Sequence, residues 1–245
     1  MLRFPLQEGM NMGNEHLRET ELLDYSSPSI QSLISDKGWR DLSEYEAIGA
    51  VYHFVKDEIL FGYNRRDTLK ASEVLDDGIG QCNTKSTLLM ALLRGLGIAC
   101  RLHGFTVSKD FQRGAVSGII ALMAPDEIVH TWVEVFFDGK WIALEGVIID
   151  KKFLDAVKSK YPDTKGVFRQ YAIAVDDFPH FAVDWNGCDT FIQSKAIVQD
   201  YGIYPDPDSF FKEHSQSLGF VRSFLYEHIG CRKMTRNIAR VRNND

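Results

Sequence analysis

The sequence predicts a mixed fold of helices and antiparallel strands, and two local patterns indicate it. Residues 82–97 place leucines at helical spacing and end at Gly97, a residue type that commonly follows the last helical turn. Residues 130–145 form two β-rich runs separated by Asp138 and Gly139, a pair that favours a two-residue type I′ turn. A helix followed by a strand hairpin is therefore expected here.

Capping and periodicity predict further elements along the chain. Ser27 and Pro28 predict a helix to about residue 34, because proline favours the first helical position. Ser43 and Glu46 form a capping box that opens a longer helix. The apolar face of that helix consists of Ala47, Ile48, Val51, Tyr52, Val55 and Ile59. The other predictions are a helix over 70–75, a strand over 98–107, a short strand over 119–123 and a helix over 151–160.

The last third of the chain is less regular. Residues 161–210 contain four prolines and scattered aromatic residues, which indicates irregular structure with short strands. A helical pattern returns over 210–229, and the basic residues after 231 predict a solvated helix end. We expect one domain over 1–245, in which the core at about 20–150 is covered by an extension that shapes a cleft.

Cys82 is placed where the leucine-rich helix begins. A thiol in the first turn feels the positive end of the helix dipole, so we expect a lowered pKa and a reactive thiolate. Free backbone N–H groups at the same helix start would stabilise an oxyanion. The alternative is that Cys82 is a buried structural residue, as many free cysteines are.

His130 and Glu145 are expected to lie on neighbouring strands of the hairpin. A type I′ turn pairs Phe137 with Lys140, and continuing that register places Trp132 opposite Glu145. His130 then becomes a diagonal neighbour of Glu145 on the same face of the sheet. The carboxylate would bind one ring nitrogen of His130 and leave the other for the thiol. A polar pair without a catalytic task is the alternative.

Four segments together resemble the transglutaminase-like superfamily, and residues 24–63 resemble its bacterial members. The segments are GQC at 80–82, LLRGLGIACR at 92–101, HTWVEV at 130–135 and WIALE at 141–145. The resemblance covers about residues 20–150 and implies an α+β, papain-like core with a Cys–His–acid triad at Cys82, His130 and Glu145. Relatives usually have aspartate at the acid position, so Glu145 departs from the pattern by one methylene.

The predicted function is thiol-dependent acyl transfer or hydrolysis of a carboxamide or peptide bond, in a transglutaminase-like, deamidase or peptidase reaction without a cofactor. Water or an amine would release the acyl group. Gln81, Tyr63 and Trp132 are further candidates for contact with the substrate or the oxyanion. A fold that binds a peptide or protein without turnover is the alternative, and the Glu145 departure motivates it.

Composition narrows the class of protein. The chain has 245 residues and a net charge of −6, which argues against general nucleic-acid binding. It contains no apolar run of the ~18 residues that a membrane span needs. The first residues lack the apolar segment of a secretion signal, and the four cysteines are widely spaced. We therefore expect a cytoplasmic protein with reduced thiols and a peptide or protein substrate.

Two candidate metal sites have weak support. Cys100 and His103 are three apart on a predicted strand and would point to opposite faces, so they cannot chelate together. Carboxylates at 176, 177, 184, 206 and 208 are clustered enough to suggest calcium, but they lack the spacing of a calcium loop. Solvated loop carboxylates are the simpler interpretation, and we expect no metal.

Overall fold

The computed structural model describes residues 14–115, 125–215 and 226–243. Among the described residues, the main sheet is antiparallel and contains β3 (Cys100–Ser108), β4 (Glu127–Phe137), β5 (Lys140–Ala143) and β8 (Ile197–Tyr204). Their order across the sheet is β5-β4-β3-β8. Two shorter pairs complete the strands, namely β1 (Leu60–Phe61) parallel to β2 (Ile79–Gly80), and β6 (Phe168–Gln170) antiparallel to β7 (Ile173–Val175).

Helices pack around this sheet. The α-helices are α1 (Pro28–Asp36), α2 (Glu44–His53), α3 (Ala71–Asp77), α4 (Cys82–Gly95), α5 (Lys151–Lys160), α6 (Pro207–Glu213) and α7 (Cys231–Asn243). One π-helix, Phe54–Glu58, continues α2, and another, Tyr226–Gly230, precedes α7. Single 3-10 turns span Asn14–His16, Trp39–Asp41, Lys109–Gln112, Glu145–Ile148 and Ser194–Ala196. The arrangement confirms the predicted α+β class.

Helix α4 forms the centre of the core. Every side chain from Asn83 to Arg94 is buried, so the helix is enclosed on all sides. Polar side chains in its first turns find partners on the sheet: Ser86 donates a hydrogen bond to the carbonyl of Thr131. Buried polar groups need such partners, and these bonds fix the helix against β4.

Local sequence signals predicted several elements correctly. Ser43 caps α2 through the reciprocal bonds of the capping box. Asp138 and Gly139 both have positive φ, at 50° and 77°, as a type I′ turn requires. Phe137 pairs with Lys140, in the predicted register. Helix α5 spans the predicted residues 151–160.

The hairpin ends earlier than predicted. Strand β5 stops at Ala143, and Glu145 begins a 3-10 turn instead of lying on the strand. Gly146 explains the change of direction, because its backbone N–H donates to the carbonyl of Thr190 at 2.6 Å. The chain thus leaves β4 to meet the last third of the sequence.

The last third is more integrated than expected. Strand β8 has eight residues and joins the main sheet, although only short strands were predicted there. Asp206 is fully buried and receives hydrogen bonds from Arg18 and Ser209, so the expectation of a solvated carboxylate was wrong at this position. The predicted strand over 119–123 lies outside the described residues, and the helical pattern over 210–229 lies partly outside them.

Helix α7 is held to the core by its basic end. Arg242 forms a salt bridge of 2.7 Å with the buried carboxylate of Asp150 and donates a hydrogen bond to the carbonyl of Phe61. The prediction of a solvated basic helix end is therefore wrong for Arg242. No helix in the described ranges combines the length and apolar character that crossing a membrane requires.

Candidate active site

Cys82 is the first residue of α4, as the sequence predicted. Strand β2 ends at Gly80, two residues before Cys82, and its parallel pairing with β1 places Phe61 opposite Gly80. A Cβ atom at Gly80 would come within 2.8 Å of the Lys85 side chain, so a glycine is needed for this close approach to α4. The thiol therefore lies where a tight turn meets a buried helix.

The surroundings of the thiol oppose its ionisation. Burial raises the pKa of Cys82 above its ordinary value, and the nearby Asp67 carboxylate raises that pKa further. Backbone N–H groups at Asn83 and Thr131 act in the opposite direction, but they are outweighed. The predicted lowering of the pKa by the helix dipole is therefore wrong for this structure, because loss of water and a negative neighbour exceed the dipole effect.

His130 lies on β4, opposite Phe105 of β3, and is almost fully buried. Its ring packs against the ring of Phe105 with centroids 4.7 Å apart. The Nε2 atom is 3.7 Å from Oε1 of Glu145, which is within ion-pair distance but longer than a hydrogen bond. The predicted proximity of these two side chains is present, although Glu145 is not on a strand.

The other carboxylate oxygen of Glu145 is held by backbone groups. Its Oε2 atom accepts hydrogen bonds from the N–H groups of Ile192 at 2.8 Å and Gln193 at 2.9 Å. Thr190 extends this contact by donating its backbone N–H to the carbonyl of Ala143. Residues 190–193 thus fix the carboxylate on the side away from His130, and no local sequence signal pointed to them.

A polar network joins the start of α4 to the histidine strand. Asn83 donates from Nδ2 to the carbonyl of Val129 at 3.2 Å, and its Oδ1 accepts from the Thr131 hydroxyl at 3.1 Å. The Cys82 Sγ lies 3.6 Å from the same Oδ1. Because Val129 and Thr131 flank His130, these bonds fix the thiol and the imidazole relative to each other. Asn83 and Thr131 were not singled out from the sequence.

Gln81, predicted to contact substrate or oxyanion, is engaged within the protein. Its Oε1 accepts from the backbone N–H of Asn64 at 2.8 Å, and its Nε2 donates to Asp67 at 3.0 Å. The Asn64 side chain accepts in turn from the Thr84 hydroxyl at 2.7 Å. The Gln81 side chain therefore clamps the preceding loop onto α4.

Tyr63 and Trp132 have different surroundings. Tyr63 is buried, and its backbone N–H donates to the Thr235 hydroxyl of α7 at 2.9 Å. Burial raises the pKa of the Tyr63 phenol, and negative charge on Cys82 raises it further, so hydroxyl and thiol are electrostatic neighbours. Trp132 packs between the rings of His103 and Phe105, each with a centroid 4.6 Å away. Trp132 therefore forms the wall beside His130.

Asp67 and Tyr226 also belong to this region and were missed. Burial raises the pKa of Asp67, while the amides of Gln81 and Asn83 and the nearby His130 act to lower it. Tyr226 donates its hydroxyl to the carbonyl of Asn64 at 3.2 Å. Neither residue has a sequence pattern that marks it, because its proximity to Cys82 arises from tertiary packing.

The candidate metal pair is split by the fold. Cys100 points to α4, where Sγ lies 3.7 Å from the carbonyl of Met90, while His103 bonds with Glu134 and Asp200. Within the three described ranges, no group of three or more His, Cys, Asp or Glu side chains is arranged to hold a metal ion.

A protein family and a solved structure are similar to this chain. No curated protein sequence matches this chain. A candidate cysteine protease from Cytophaga hutchinsonii has a similar solved structure, with 12% identity and a TM-score of 0.49. The match covers 84% of this chain and 51% of that protein, so the chain spans about half of its length. The profile of the transglutaminase-like superfamily matches residues 36–146, a segment that includes Cys82, His130 and Glu145. Over residues 36–146 the chain is therefore similar to the transglutaminase-like superfamily.

Proposed function

We propose that this protein catalyses thiol-dependent acyl transfer or hydrolysis at a carboxamide or peptide bond. The observation that carries the proposal is the buried pair of His130 and Glu145 at 3.7 Å, joined through Asn83 and Thr131 to the helix start that bears Cys82. A nucleophile, a base and an orienting acid are the parts that such a reaction needs. The similarity of residues 36–146 to the transglutaminase-like superfamily supports the same chemistry.

In the first step, His130 takes the proton of the Cys82 thiol while sulfur attacks the carbonyl carbon. The resulting tetrahedral oxyanion meets the free N–H groups at the start of α4. The carbon–nitrogen bond then breaks, and His130 returns the proton to the departing amine or ammonia. The product of this half-reaction is a thioester on Cys82.

In the second step, water attacks the thioester and gives a proton to His130. The carbon–sulfur bond breaks, the acid is released and His130 returns the proton to sulfur. An amine acceptor would follow the same path and give an amide. Glu145 acts on the far nitrogen of His130 in both steps, holding its tautomer and stabilising the imidazolium.

The hydrogen bonds to Glu145 explain why a glutamate can serve at the position where relatives usually have aspartate. Its Oε2 reaches the backbone N–H groups of Ile192 and Gln193, while Oε1 remains directed to His130. A longer side chain makes both contacts from a 3-10 turn that lies beyond the end of β5. Glutamate is one methylene longer than aspartate, and the backbone of Glu145 lies in a turn beyond β5, so the longer side chain still reaches His130.

The raised pKa of Cys82 has a consequence for mechanism. The resting nucleophile is a neutral thiol, so proton transfer to His130 accompanies attack on the substrate. This differs from a preformed thiolate–imidazolium pair. The rate of acylation should therefore depend strongly on His130 as the general base. It should depend little on a separate ionisation of the Cys82 thiol near neutral pH.

The proposal is tested by measuring ammonia release from glutamine peptides and amine release from peptide amides. Wild type should turn over at least one of these substrates, Cys82→Ala should have none of the activity, and His130→Ala should lose at least about a hundredfold in kcat/KM. Iodoacetamide labelling of Cys82 across pH, read by peptide mass spectrometry, should show a thiol pKa above that of free cysteine. Equal background from wild type and Cys82→Ala would refute the catalytic proposal.

A protein that binds a peptide without turnover is the second candidate. The gap of 3.7 Å between His130 and Glu145 and the raised thiol pKa favour it. On this account, Cys82→Ala would bind the same peptides with unchanged affinity and no product would form with wild type. Calorimetric binding to the peptides used in the turnover assay separates the two candidates.

A further inference from the structure

Asp67 is held directly beside the nucleophile. Its Oδ1 accepts a hydrogen bond of 3.0 Å from the side chain of Gln81, the residue that precedes Cys82 in the chain. Gln81 is itself fixed, because its Oε1 accepts from the backbone N–H of Asn64 at 2.8 Å. Two bonds thus connect the loop that bears Asp67 to Gln81, the residue before α4, and the carboxylate lies close enough to the thiol to raise the pKa of Cys82.

Among the described residues, no lysine or arginine forms a salt bridge with the Asp67 carboxylate, and His130 is the positive neighbour that acts on it. Within the described residues, no lysine or arginine nitrogen lies within 4 Å of it, and the adjacent Arg65 and Arg66 are directed to Glu73 at 2.9 Å and 3.8 Å. Tyr226, which donates to the Asn64 carbonyl, packs over the same loop. A partly buried carboxylate that has only the amides of Gln81 and Asn83 as donors, and no lysine or arginine partner among the described residues, is costly for the fold.

Asp67 also works against the nucleophile. Its negative charge raises the pKa of Cys82, so in the empty site it disfavours the thiolate that the reaction needs. Asp67 therefore costs stability and hinders the resting thiol. It gains a role only if the substrate brings a positive charge to its carboxylate. An amino group supplies a positive charge and hydrogen-bond donors together.

We propose that Asp67 is a specificity-determining residue and that its carboxylate binds a protonated amino group of the substrate next to the carbonyl that Cys82 attacks. The substrate class is then a peptide or amide with a free amino group close to the scissile bond. Tyr63 and Tyr226 add aromatic side chains beside the same position, and aromatic rings favour cations. The inference rests on the proposed function, since it names the substrate of that site.

Binding of the ammonium group would also activate the thiol. The positive charge cancels the field of Asp67, so the proton of Cys82 moves to His130 more readily once the substrate is in place. The enzyme would remain unreactive towards neutral or anionic amides. Selectivity and activation thus arise from the same ion pair.

The charge preference is tested on the thiol itself, without turnover. Cys82 is alkylated at pH 8 with cationic 2-bromoethylamine, neutral iodoacetamide and anionic iodoacetate, and peptide mass spectrometry follows each adduct. N-acetylcysteine in the same buffer provides the intrinsic rate ratio of the reagents. For wild type, the ratio of cationic to anionic alkylation at Cys82 should exceed the reference ratio by about tenfold, the effect of ~1.4 kcal/mol.

Three variants identify the source of the preference. Asp67→Asn should bring the ratio to the reference value and should speed alkylation by iodoacetamide, because the thiol pKa falls. Asp67→Glu keeps the charge and should retain the preference, which guards against a folding defect in Asp67→Asn. Asp163→Asn, at an exposed loop position, removes one negative charge elsewhere and should change nothing. A ratio that is equal in wild type and Asp67→Asn overturns the proposal, and so does a Cys82 that resists all three reagents.

A second measurement separates failure of this inference from failure of the proposed function. Peptide amides with a free amino terminus are compared with their N-acetylated forms. Turnover of both forms at equal rates would keep the proposed function and overturn the role of Asp67. A charge preference in alkylation without turnover of either form would keep the cation site and refute the catalytic proposal.

Discussion

The Nε2 atom of His130 lies 3.7 Å from Oε1 of Glu145, and neither atom has a hydrogen-bond partner among the described residues. Both side chains are buried, and unpaired buried polar atoms are rare in folded proteins. Shortening this distance by less than 1 Å would create a charge-assisted hydrogen bond once the imidazole is protonated. The pair is therefore arranged to interact most strongly after His130 has taken a proton.

Replacement of Glu145 by glutamine tests this arrangement. In Glu145→Gln the amide oxygen keeps the backbone bonds from Ile192 and Gln193, and the amide nitrogen faces His130 without a charge. We expect kcat/KM to fall by about a hundredfold or more, because the imidazolium loses its stabilising carboxylate. Glu145→Asp keeps the charge but cannot reach both partners, and should lose less activity. Steady-state kinetics on the amide substrate measure both, and full activity in Glu145→Gln would contradict the role of Glu145.

Gly146 provides a second test, which acts on the backbone. A Cβ atom at this position would lie 2.5 Å from the Tyr52 hydroxyl, which is itself bonded to the carbonyl of Val183. Gly146→Ala should therefore displace Glu145, lower the free energy of unfolding by about 1–3 kcal/mol and reduce activity in the remaining folded protein. Gly139→Ala is the control, since a Cβ there has open space and only the positive φ is strained. Urea unfolding and activity per folded molecule are the measurements. Unchanged activity in Gly146→Ala would show that the backbone at Gly146 does not position Glu145.

The parts of the fold that were predicted from the sequence depend on neighbours along the chain. The capping box at Ser43, the turn at Asp138 and Gly139 and the helix start at Cys82 are each specified within a few residues. Hairpin register follows from turn type and brings the chain near His130 as far as Ala143, beyond which the 3-10 turn carries Glu145 to the histidine.

Other features depend on contacts between distant residues, and local patterns do not contain them. Glu145 leaves the strand because the N–H of Gly146 donates a hydrogen bond to Thr190, which is more than forty residues later in the chain. The thiol pKa rises because folding buries Cys82 beside Asp67, whereas the helix dipole, a local property, predicted the opposite. Strand β8 has solvent-exposed Ile197, Val198 and Ile203 and becomes part of the sheet only through its pairing with β3.

The pair of Arg242 and Asp150 predicts how α7 contributes to stability. Asp150 caps α5 and also accepts from the Phe61 N–H, so it connects two helices with the strand that leads to the active site. Arg242→Met should lower the free energy of unfolding by about 3 kcal/mol, because it leaves a buried carboxylate without its cation. Arg240→Met, at an exposed position two residues earlier on the same helix, is a control of equal charge change. Chemical denaturation measures both, and equal effects would show that Arg242 acts only through net charge.

The same pair predicts sensitivity to acid. Burial alone would raise the pKa of Asp150, but Arg242 and the N–H groups of Phe153 and Phe61 outweigh it and hold that pKa below the ordinary value. The stabilisation is therefore fully present above the unfolded value near ~4 and is lost as pH falls through the lower folded value. Wild type and Arg242→Met should become more alike in stability at pH 2–3 than at pH 7. Urea unfolding across that range measures the difference, and a gap that stays constant would contradict this linkage.

His103 predicts the opposite dependence at higher pH. Burial alone would lower the pKa of His103, but hydrogen bonds with Glu134 at 3.0 Å and Asp200 at 2.8 Å raise it. Protonated His103 thus joins β4 to β8 across β3. Its stabilisation is fully present below the unfolded pKa of ~6.5 and is lost as pH rises through the raised folded value. Asp200 is largely exposed, so water limits the effect to about 1 kcal/mol.

The variant His103→Gln isolates this contribution from other groups that titrate in the same range. Wild type should be the more stable protein at pH 6, and the two should converge by pH 9. Amide hydrogen exchange in β8 should report the same change locally, because a neutral His103 donates to only one of its two carboxylates. Faster exchange in β8 of wild type at high pH, after correction for the intrinsic rate, is the expected result. Exchange that differs between the two proteins equally at pH 6 and pH 9 would show that His103 acts by packing against Trp132 rather than by its charge.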